Sequence, residues 1–457
     1  MAALLPPDDP AASLTLQYPT RDEMYCSGAV SLIPNSLMEE IFLRTTAKSF
    51  LSLKCVCKSW YHIIKDPNFV RKRFHDSQSM GCTVLSSTIT TTTTDGYLDK
   101  KFYLGSFQEG WKIENGGGGN GEWETNFWSL PFSKDICKEL CMAACNGLIC
   151  IYGNYCKTTM DMWNHTEGVL SEIPKRHVEK YSMVYICNPT TQEIVDLPRP
   201  SKEFEKGSCG FAFDAKRNQY KVVHLFYDSQ HEAWTFEIFT LGTMSWKMMA
   251  DEAKEEEPNI SWYKLHGAKP SNPVYVNGFL CWLIKFYSGT CDACVLCFNV
   301  EDKFRPKLIK MPEDINGDKF VEAIQAQQSV TFLVKLNGNL CYVEDKRSLQ
   351  LLNIWMLKEE RCLDEKENVW IKKYCIKLDF DLNFCRSIIP VRIQNKDILF
   401  VSSNTGELFS YETESKKCVT IFKPEALFTE PLEEPSQIVT YMESLISVRD
   451  IIAMKRE

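Results

Sequence analysis

The spacing of hydrophobic residues changes near residue 80. Between about residues 34 and 74, apolar side chains recur at intervals of three and four, the period of an α-helix that buries one side. In "SLKCVCKSWYHIIKD" (Ser52 to Asp66) this spacing predicts one helix, whose apolar stripe consists of Leu53, Val56, Cys57, Trp60, Ile63 and Ile64.

A shorter helix is predicted upstream, in "SLIPNSLMEEIFLRTT". Pro34 fits its first turn, and Ser36 can cap its amino end. Its apolar side is formed by Leu37, Met38 and Ile41. Two or three short helices in about 45 residues expose more apolar surface than they can bury among themselves. We therefore expect this surface to bind a partner.

Beyond residue 80 the helical period gives way to the alternation of β-strands. In "VTFLVKLNGNLCYVED", apolar and polar residues alternate on both sides of Asn337-Gly338. Asn-Gly readily takes the positive φ values of a two-residue type I′ turn, so this segment is predicted to be a hairpin. Similar units recur: "NGLICIY" from Asn146, "NGFLCWL" from Asn277 and, more loosely, "TGELFSY" from Thr405.

Repeated short hairpins favour small sheets arranged around an axis, because each sheet must bury its faces against its neighbours. With about 40 to 50 residues per blade, an all-β propeller of six to eight blades fits into residues 80–445. Residues 1–28 are predicted to be a disordered tail. The run Thr90–Thr94, the glycine-rich segment 116–121 and the acidic run 251–259 are predicted to be loops.

Composition narrows the possible partners of this 457-residue chain, which is 44% hydrophobic and 25% charged. A net charge of −8 lacks the basic excess that a nucleic-acid surface needs. No apolar run approaches the roughly 20 residues that cross a bilayer, and the first residues do not resemble a signal peptide. We expect a cytoplasmic or nuclear protein that binds neither nucleic acid nor membrane.

The twenty cysteines raise the question of metal or disulfide chemistry. Cys55 and Cys57 diverge on a helix, and if "CDACVLC" is a strand, Cys294 faces away from Cys291 and Cys297. "CKELCMAAC" (Cys137 to Cys145) aligns its thiols if it is helical, but no second ligand cluster follows it. We therefore predict reduced structural cysteines, with no metal, no cofactor and no catalytic constellation.

The helical segment resembles an F-box. In "LIPNSLMEEIFLRTTAKSFLSLKCVCKSWYHII", the usual F-box positions are occupied by Pro34, Leu37, Ile41, Arg44, Lys48, Ser49, Leu53, Val56, Cys57, Lys58 and Trp60. The resemblance implies an α+β multidomain protein, with an F-box at residues 29–75 that docks on a Skp-family adaptor. The adaptor-binding residues it implies are Pro34, Leu37, Ile41, Leu53, Val56, Cys57 and Trp60.

The rest of the chain resembles the kelch-like, F-box-associated domain of plant F-box proteins. Five ordered motifs carry this resemblance: "NPTTQEIVDLP", "GFAFDAKRNQYKVV", "FTLGTMSWKMM", "VYVNGFLCWL" and "VLCFNVEDKFRPKLIKMP". It implies a non-catalytic substrate receptor of an SCF-type ubiquitin ligase, tied through the adaptor to cullin and RING subunits. The target protein is unknown. A propeller enzyme and an F-box scaffold outside any ligase stay open as alternatives.

Overall fold

A computed structural model describes the chain in a set of separate ranges. They are 33–45, 49–80, 83–94, 97–107, 128–129, 136–160, 176–201, 207–249, 268–286, 293–301, 306–312, 329–346, 349–358, 370–378, 388–394, 397–402, 407–422 and 438–453. The predicted tail, the glycine-rich segment and the acidic run lie outside these residues. The chain divides into two compact units, Met1–Arg73 and Phe74–Glu457.

Four helices begin the described chain: α1 (Asn35–Leu43), α2 (Phe50–Leu53), α3 (Lys58–Lys65) and α4 (Pro67–Met80). The core of the first unit is aromatic. The ring of Phe42 lies 6.3 Å from the rings of both Phe50 and Phe69 and 5.2 Å from that of Trp60, all in edge-to-face geometry. Such pairs stabilise a small core beyond the area they bury.

The predicted single helix over Ser52 to Asp66 was wrong, because the chain turns at Cys57. The last turn of α2 tightens into bonds three residues apart, from Cys55 N to Ser52 O and from Val56 N to Leu53 O. Cys57 is then extended, at φ −159° and ψ 165°, before α3 begins. An unbroken helix would hold Phe50 and Ile64 about 20 Å apart, whereas the turn buries both in one small core.

The second unit is built almost entirely of strands. In chain order they are β1 (Thr83–Thr94), β2 (Tyr97–Phe107), β3 (Trp128–Ser129), β4 (Ile136–Cys145), β5 (Leu148–Met160), β6 (Arg176–Asn188), β7 (Glu193–Asp196), β8 (Ser208–Asp214), β9 (Gln219–Asp228), β10 (Ala233–Thr240), β11 (Lys247–Met248), β12 (Ala268–Pro270), β13 (Val274–Val276), β14 (Phe279–Phe286), β15 (Ala293–Asn299), β16 (Pro306–Lys310), β17 (Ser329–Leu336), β18 (Asn339–Lys346), β19 (Leu351–Leu357), β20 (Trp370–Lys377), β21 (Ile388–Gln394), β22 (Asp397–Ser402), β23 (Leu408–Glu412), β24 (Lys417–Phe422) and β25 (Ile438–Tyr441). A short helix, α5 (Val448–Ala453), follows them.

Consecutive antiparallel strands form five blades: β4–β7, β8–β11, β12–β16, β17–β20 and β21–β24, here called blades 1 to 5. A further sheet, here called the closing sheet, has the order β25-β1-β2-β3 and so combines both ends of the unit. Its strand β25 contacts β4 of blade 1 and β21 of blade 5, which closes the ring.

The prediction of six to eight blades was therefore too high. Successive blades begin about 60 to 70 residues apart, at Ile136, Ser208, Ala268, Ser329 and Ile388. The estimate had assumed about 40 to 50 residues per blade. It therefore underestimated how much of this chain lies in the segments that connect the strands.

Three predicted Asn-Gly turns are confirmed. Asn146-Gly147, Asn277-Gly278 and Asn337-Gly338 join β4 to β5, β13 to β14 and β17 to β18, and both residues of each pair have positive φ. Two of these asparagines also link blades. Asn277 Nδ2 donates to Gly338 O at 3.1 Å, and Asn337 Nδ2 donates to Ile393 O at 2.7 Å.

One other local prediction fails. The run Thr90–Thr94 is not a loop but the end of β1, paired with β2 from Thr94 opposite Tyr97. Threonine is β-branched, which favours a strand over a turn. "CKELCMAAC" lies in β4, so the helical alternative for this segment does not apply. "TGELFSY" leads into β23, which pairs antiparallel with β22. It precedes the third strand of its blade, whereas the three Asn-Gly units lead into second strands.

The hydrophobic core of the propeller lies between neighbouring blades. Four buried clusters join blades 1 and 2, blades 2 and 3, blades 3 and 4, and blades 4 and 5 in turn. Stability therefore comes from packing blade against blade. Within the described residues, no helix is both long and apolar enough to cross a membrane.

Candidate functional site

Helix α1 presents two opposite faces. Met38, Phe42 and Leu43 are buried in the core of the first unit. On the other side, the side chains of Leu37 and Ile41 are 56% and 51% exposed. Leu37 and Ile41 lie four positions apart, so their side chains are neighbours on one face of the helix. An exposed apolar face on a unit this small indicates a binding surface.

The residues around the turn between α2 and α3 add to this face. Val56 is 40% exposed, and Leu53 and Cys57 are half-buried. Ser59 Oγ donates to Asn35 Oδ1 at 3.5 Å, which joins the first turns of α3 and α1. Val56, which shortly precedes α3, and Leu37, in the first turn of α1, therefore belong to neighbouring parts of the chain's fold. We call this the apolar face; its exposed members are Leu37, Ile41 and Val56.

The remaining predicted site residues have different surroundings. Pro34 is exposed at the start of α1. Trp60 is half-buried, with its ring against Phe42, so it serves the core as well as the surface. Ile33 and Tyr61 are also exposed and were not predicted. Ile33 directly precedes Pro34, outside the helical period that directed the prediction.

A buried arginine holds α1 in place, and sequence reasoning missed it. Arg73 lies on α4 and donates through its guanidinium to the backbone oxygens of Leu43 and of Thr45, the latter at 2.8 Å. Its charge also lies 5.6 Å from the centre of the Phe50 ring. Arginine is suited to this task because its planar donors satisfy several carbonyls at once. The available signal was its position four residues after the buried Phe69.

The motif "GFAFDAKRNQYKVV" forms a buried ionic contact between blades 2 and 3. Lys221 Nζ lies 2.7 Å from Asp214 Oδ2 and donates to Val300 O at 2.8 Å. Arg217 Nη1 reaches the same carboxylate at 2.9 Å and Glu301 O at 2.8 Å. Burial alone raises the pKa of Asp214, but these hydrogen bonds outweigh burial and hold the pKa below its ordinary value. These motif residues therefore have a structural role.

A buried histidine and glutamate lie within blade 2. His224 Nδ1 is 2.7 Å from Glu237 Oε1, while the Ser201 hydroxyl donates to Glu237 Oε2 at 2.6 Å. Burial lowers the pKa of His224. Burial by itself raises the pKa of Glu237, but the hydrogen bonds from His224 and Ser201 hold it low. Because serine and histidine share the carboxylate and do not pair with each other, the cluster forms no activated nucleophile.

Two of the described cysteines lie close together. Cys281 and Cys297 lie opposite each other on β14 and β15, with their sulfurs 2.9 Å apart, and burial raises the pKa of Cys297. No group of three His, Cys, Asp or Glu that could hold a metal occurs in the described part of the chain. Cys291 lies outside that part, so the prediction of no metal site stays a prediction.

Comparisons with known families match both units. The family model described as F-box domain matches residues 30–72. The one described as F-box associated beta propeller domain matches residues 125–425. The first match covers Leu37, Ile41 and Val56 of the apolar face. The second covers every strand of blades 1 to 5, from Ile136 to Phe422.

Several Arabidopsis thaliana proteins are similar over most of the chain. F-box protein At5g65850 is 26% identical, covering 74% of this chain and 70% of its own length. F-box protein CPR1 is 21% identical, over 86% of this chain and 84% of its own. F-box protein At5g49610 is 23% identical, over 88% and 94%. A further Arabidopsis relative, 23% identical, is matched over 58% of its own length.

Proposed function

Because the chain belongs to the F-box proteins with an F-box-associated β-propeller domain, we propose that it is a substrate-recognition subunit of an SCF-type ubiquitin ligase. The observation that carries the proposal is the exposed apolar face of Leu37, Ile41 and Val56 in the matched F-box unit. This face is suited to a Skp-family adaptor, through which cullin and RING subunits would join.

In this proposal the chain acts by proximity and not by its own chemistry. One surface binds the adaptor and the propeller binds a target protein, so the target's lysines are held close to the ubiquitin-conjugating enzyme. Binding both partners on one chain raises the effective concentration of the reacting groups without a new catalytic residue. The proposal places the protein in the cytoplasm or nucleus, where such ligases act.

The test is co-purification of the full chain with a Skp-family adaptor and a cullin. Leu37→Asp should abolish adaptor capture, because burying an unpaired carboxylate costs several kcal/mol whereas losing one leucine contact costs only about 1.5 to 3 kcal/mol. Met244→Asp is the matched control, since Met244 is 68% exposed but lies on the propeller. It should leave capture unchanged.

Two results would contradict the proposal. Full adaptor capture by Leu37→Asp would show that the apolar face is not the docking surface. Capture of the adaptor without cullin would show an F-box protein that acts outside a ligase. The thermal unfolding of each variant must match that of the wild type, so that lost capture reports binding and not unfolding.

A further inference from the structure

The outer strand of blade 4 differs from the outer strands of the other blades. β20 has eight residues, whereas β7, β11, β16 and β24 have four, two, five and six. It is last in the order β17-β18-β19-β20, so among the described strands its outer edge has no partner. Such an edge presents a row of backbone donors and acceptors to another chain.

The described residues at this edge include several lysines. Lys372, Lys373 and Lys377 lie on β20, and Lys358 directly follows β19. Trp370 Nε1 donates to Lys310 O at 2.8 Å, which places the end of β16 in blade 3 beside the start of β20. The described stretches 306–312, 349–358 and 370–378 contain six lysines and no aspartate or glutamate, whereas the connection 359–369 carries five carboxylates and two basic residues.

None of Lys310, Lys358, Lys372, Lys373 and Lys377 forms an ion pair in the described part of the chain. Their positive charge is therefore not neutralised by described neighbours. The surface also has an apolar element, because Ile371 is 43% exposed between the buried Trp370 and Lys372. A surface with an isoleucine surrounded by cations suits an acidic partner that also carries apolar side chains.

The backbone of β20 is adapted to remain unpaired in the free protein. Its pairing with β19 is irregular between Ile354 and Trp355, where Lys373 has no counterpart. Lys372 lies opposite Trp355, with its ammonium 5.2 Å from the ring centre. Lysines and a bulge protect an edge strand against pairing with another copy of itself, since like charges would then face each other. The same charges favour a strand of opposite sign.

We propose that β20 is a docking edge for an extended, acidic segment of a partner protein. The segment adds a strand to blade 4, its carboxylates meet the lysines, and an apolar residue covers Ile371. Main-chain hydrogen bonds supply the pairing and the charges select the sequence. This proposal does not depend on adaptor binding or on a ligase. It concerns only the edge of β20, and it can be tested on the purified chain alone.

The probe is a fluorescent eight-residue peptide that alternates glutamate and valine, matched in length to β20. Fluorescence anisotropy with the full chain should show binding that weakens as salt rises. The same peptide with glutamine in place of glutamate should bind at least about tenfold more weakly. Two further peptides are N-methylated at odd or at even positions; only one of them should lose binding, since alternate amides face the ladder.

Lys310→Glu combined with Lys373→Glu should weaken binding of the glutamate peptide about tenfold. Lys310 and Lys373 are chosen because both are exposed. Lys372 is left unchanged because its ammonium packs over the ring of Trp355. Lys416→Glu combined with Lys417→Glu is the matched control, with the same charge change on exposed residues at the start of β24. It should alter affinity less than twofold, and both variants should unfold at the wild-type temperature.

Four results would overturn the proposal. They are equal binding of the glutamine peptide, equal loss in the two charge-reversal variants, equal binding of both N-methylated peptides, and no binding of the glutamate peptide. Tighter binding of a single-stranded oligonucleotide or of anionic vesicles than of the peptide would likewise overturn it, because the edge would then be a general polyanion surface.

Discussion

The helical unit and the propeller differ in how fully they bury their hydrophobic side chains. In α1, Ile41 is exposed and its neighbour Phe42 is buried. In β14 of blade 3, every residue from Leu280 to Ile284 is buried, on both faces of the strand. A blade has a neighbour on each side, whereas a short helix in a unit of three or four helices has one covered side. Apolar exposure therefore signals a binding surface in the helical unit more clearly than it would elsewhere.

The largest effect is expected where a propeller side chain is covered on all sides. Trp282 is fully buried between blades 2 and 3, so Trp282→Ala should lower the free energy of unfolding by about 3 to 5 kcal/mol. Denaturant unfolding followed by circular dichroism measures the change. The control is Met244→Ala, which should cost less than about 0.5 kcal/mol. Similar costs for both variants would contradict the described packing.

The ionic contact between blades 2 and 3 should make stability depend on pH. Asp214→Asn weakens the bonds to Lys221 and Arg217 and should cost about 1.5 to 3 kcal/mol at neutral pH. The folded-state pKa of Asp214 lies below its ordinary value of 3.8. Its stabilisation is thus fully present above pH 3.8 and is lost as the pH falls through the folded-state pKa.

The difference between wild type and Asp214→Asn should therefore shrink in acid. The measurement is the free energy of unfolding of both proteins at neutral pH and at several values below 3.8. A difference that is constant or grows toward acid would show that the carboxylate is not held in its charged form by these bonds.

Alanine substitutions at two glycines in equivalent turns allow the cost of backbone strain to be distinguished from the cost of a steric clash. Gly147 and Gly338 both have positive φ, so alanine is strained at either by about 1 to 2 kcal/mol. A Cβ on Gly147 would also come 2.3 Å from the Cβ of Ser444, whereas one on Gly338 meets nothing within 4 Å. Gly147→Ala should thus be the more destabilising in thermal unfolding, and equal shifts would argue against a close approach of the C-terminal segment.

The smallest effect is expected on the apolar face itself. Ile41→Ser should change stability by less than about 0.5 kcal/mol, because about half of the side chain is already exposed to water. Phe42→Ala, one residue along the same helix, should cost about 3 to 5 kcal/mol. Hydrogen exchange of the α1 amides reports the helical unit separately from the propeller. Faster exchange in Ile41→Ser would show that this residue belongs to the core.

The sequence alone determined the features that depend on near neighbours in the chain. Asn337-Gly338 predicted its hairpin because two residues with easy access to positive φ specify the turn locally. The change from helical to strand period near residue 80 predicted two different units. The spacing of Leu37 and Ile41 predicted one apolar face, since residues four apart lie together on any helix.

The tertiary structure decided what depends on distant residues. The chain turns at Cys57 because Phe50 and Ile64 must enter the same core, and no local signal marks that requirement. Arg73 donates a hydrogen bond to the end of α1, thirty residues away in the sequence. Lys221 donates one to the carbonyl of Val300 in another blade. The number of blades depends on where the ring closes. It closes where β25, near the C-terminal end of the unit, pairs with β1 at its start. Periodicity reports which side of an element is apolar, but only the packed fold determines whether that side meets the core, a neighbouring blade or a partner.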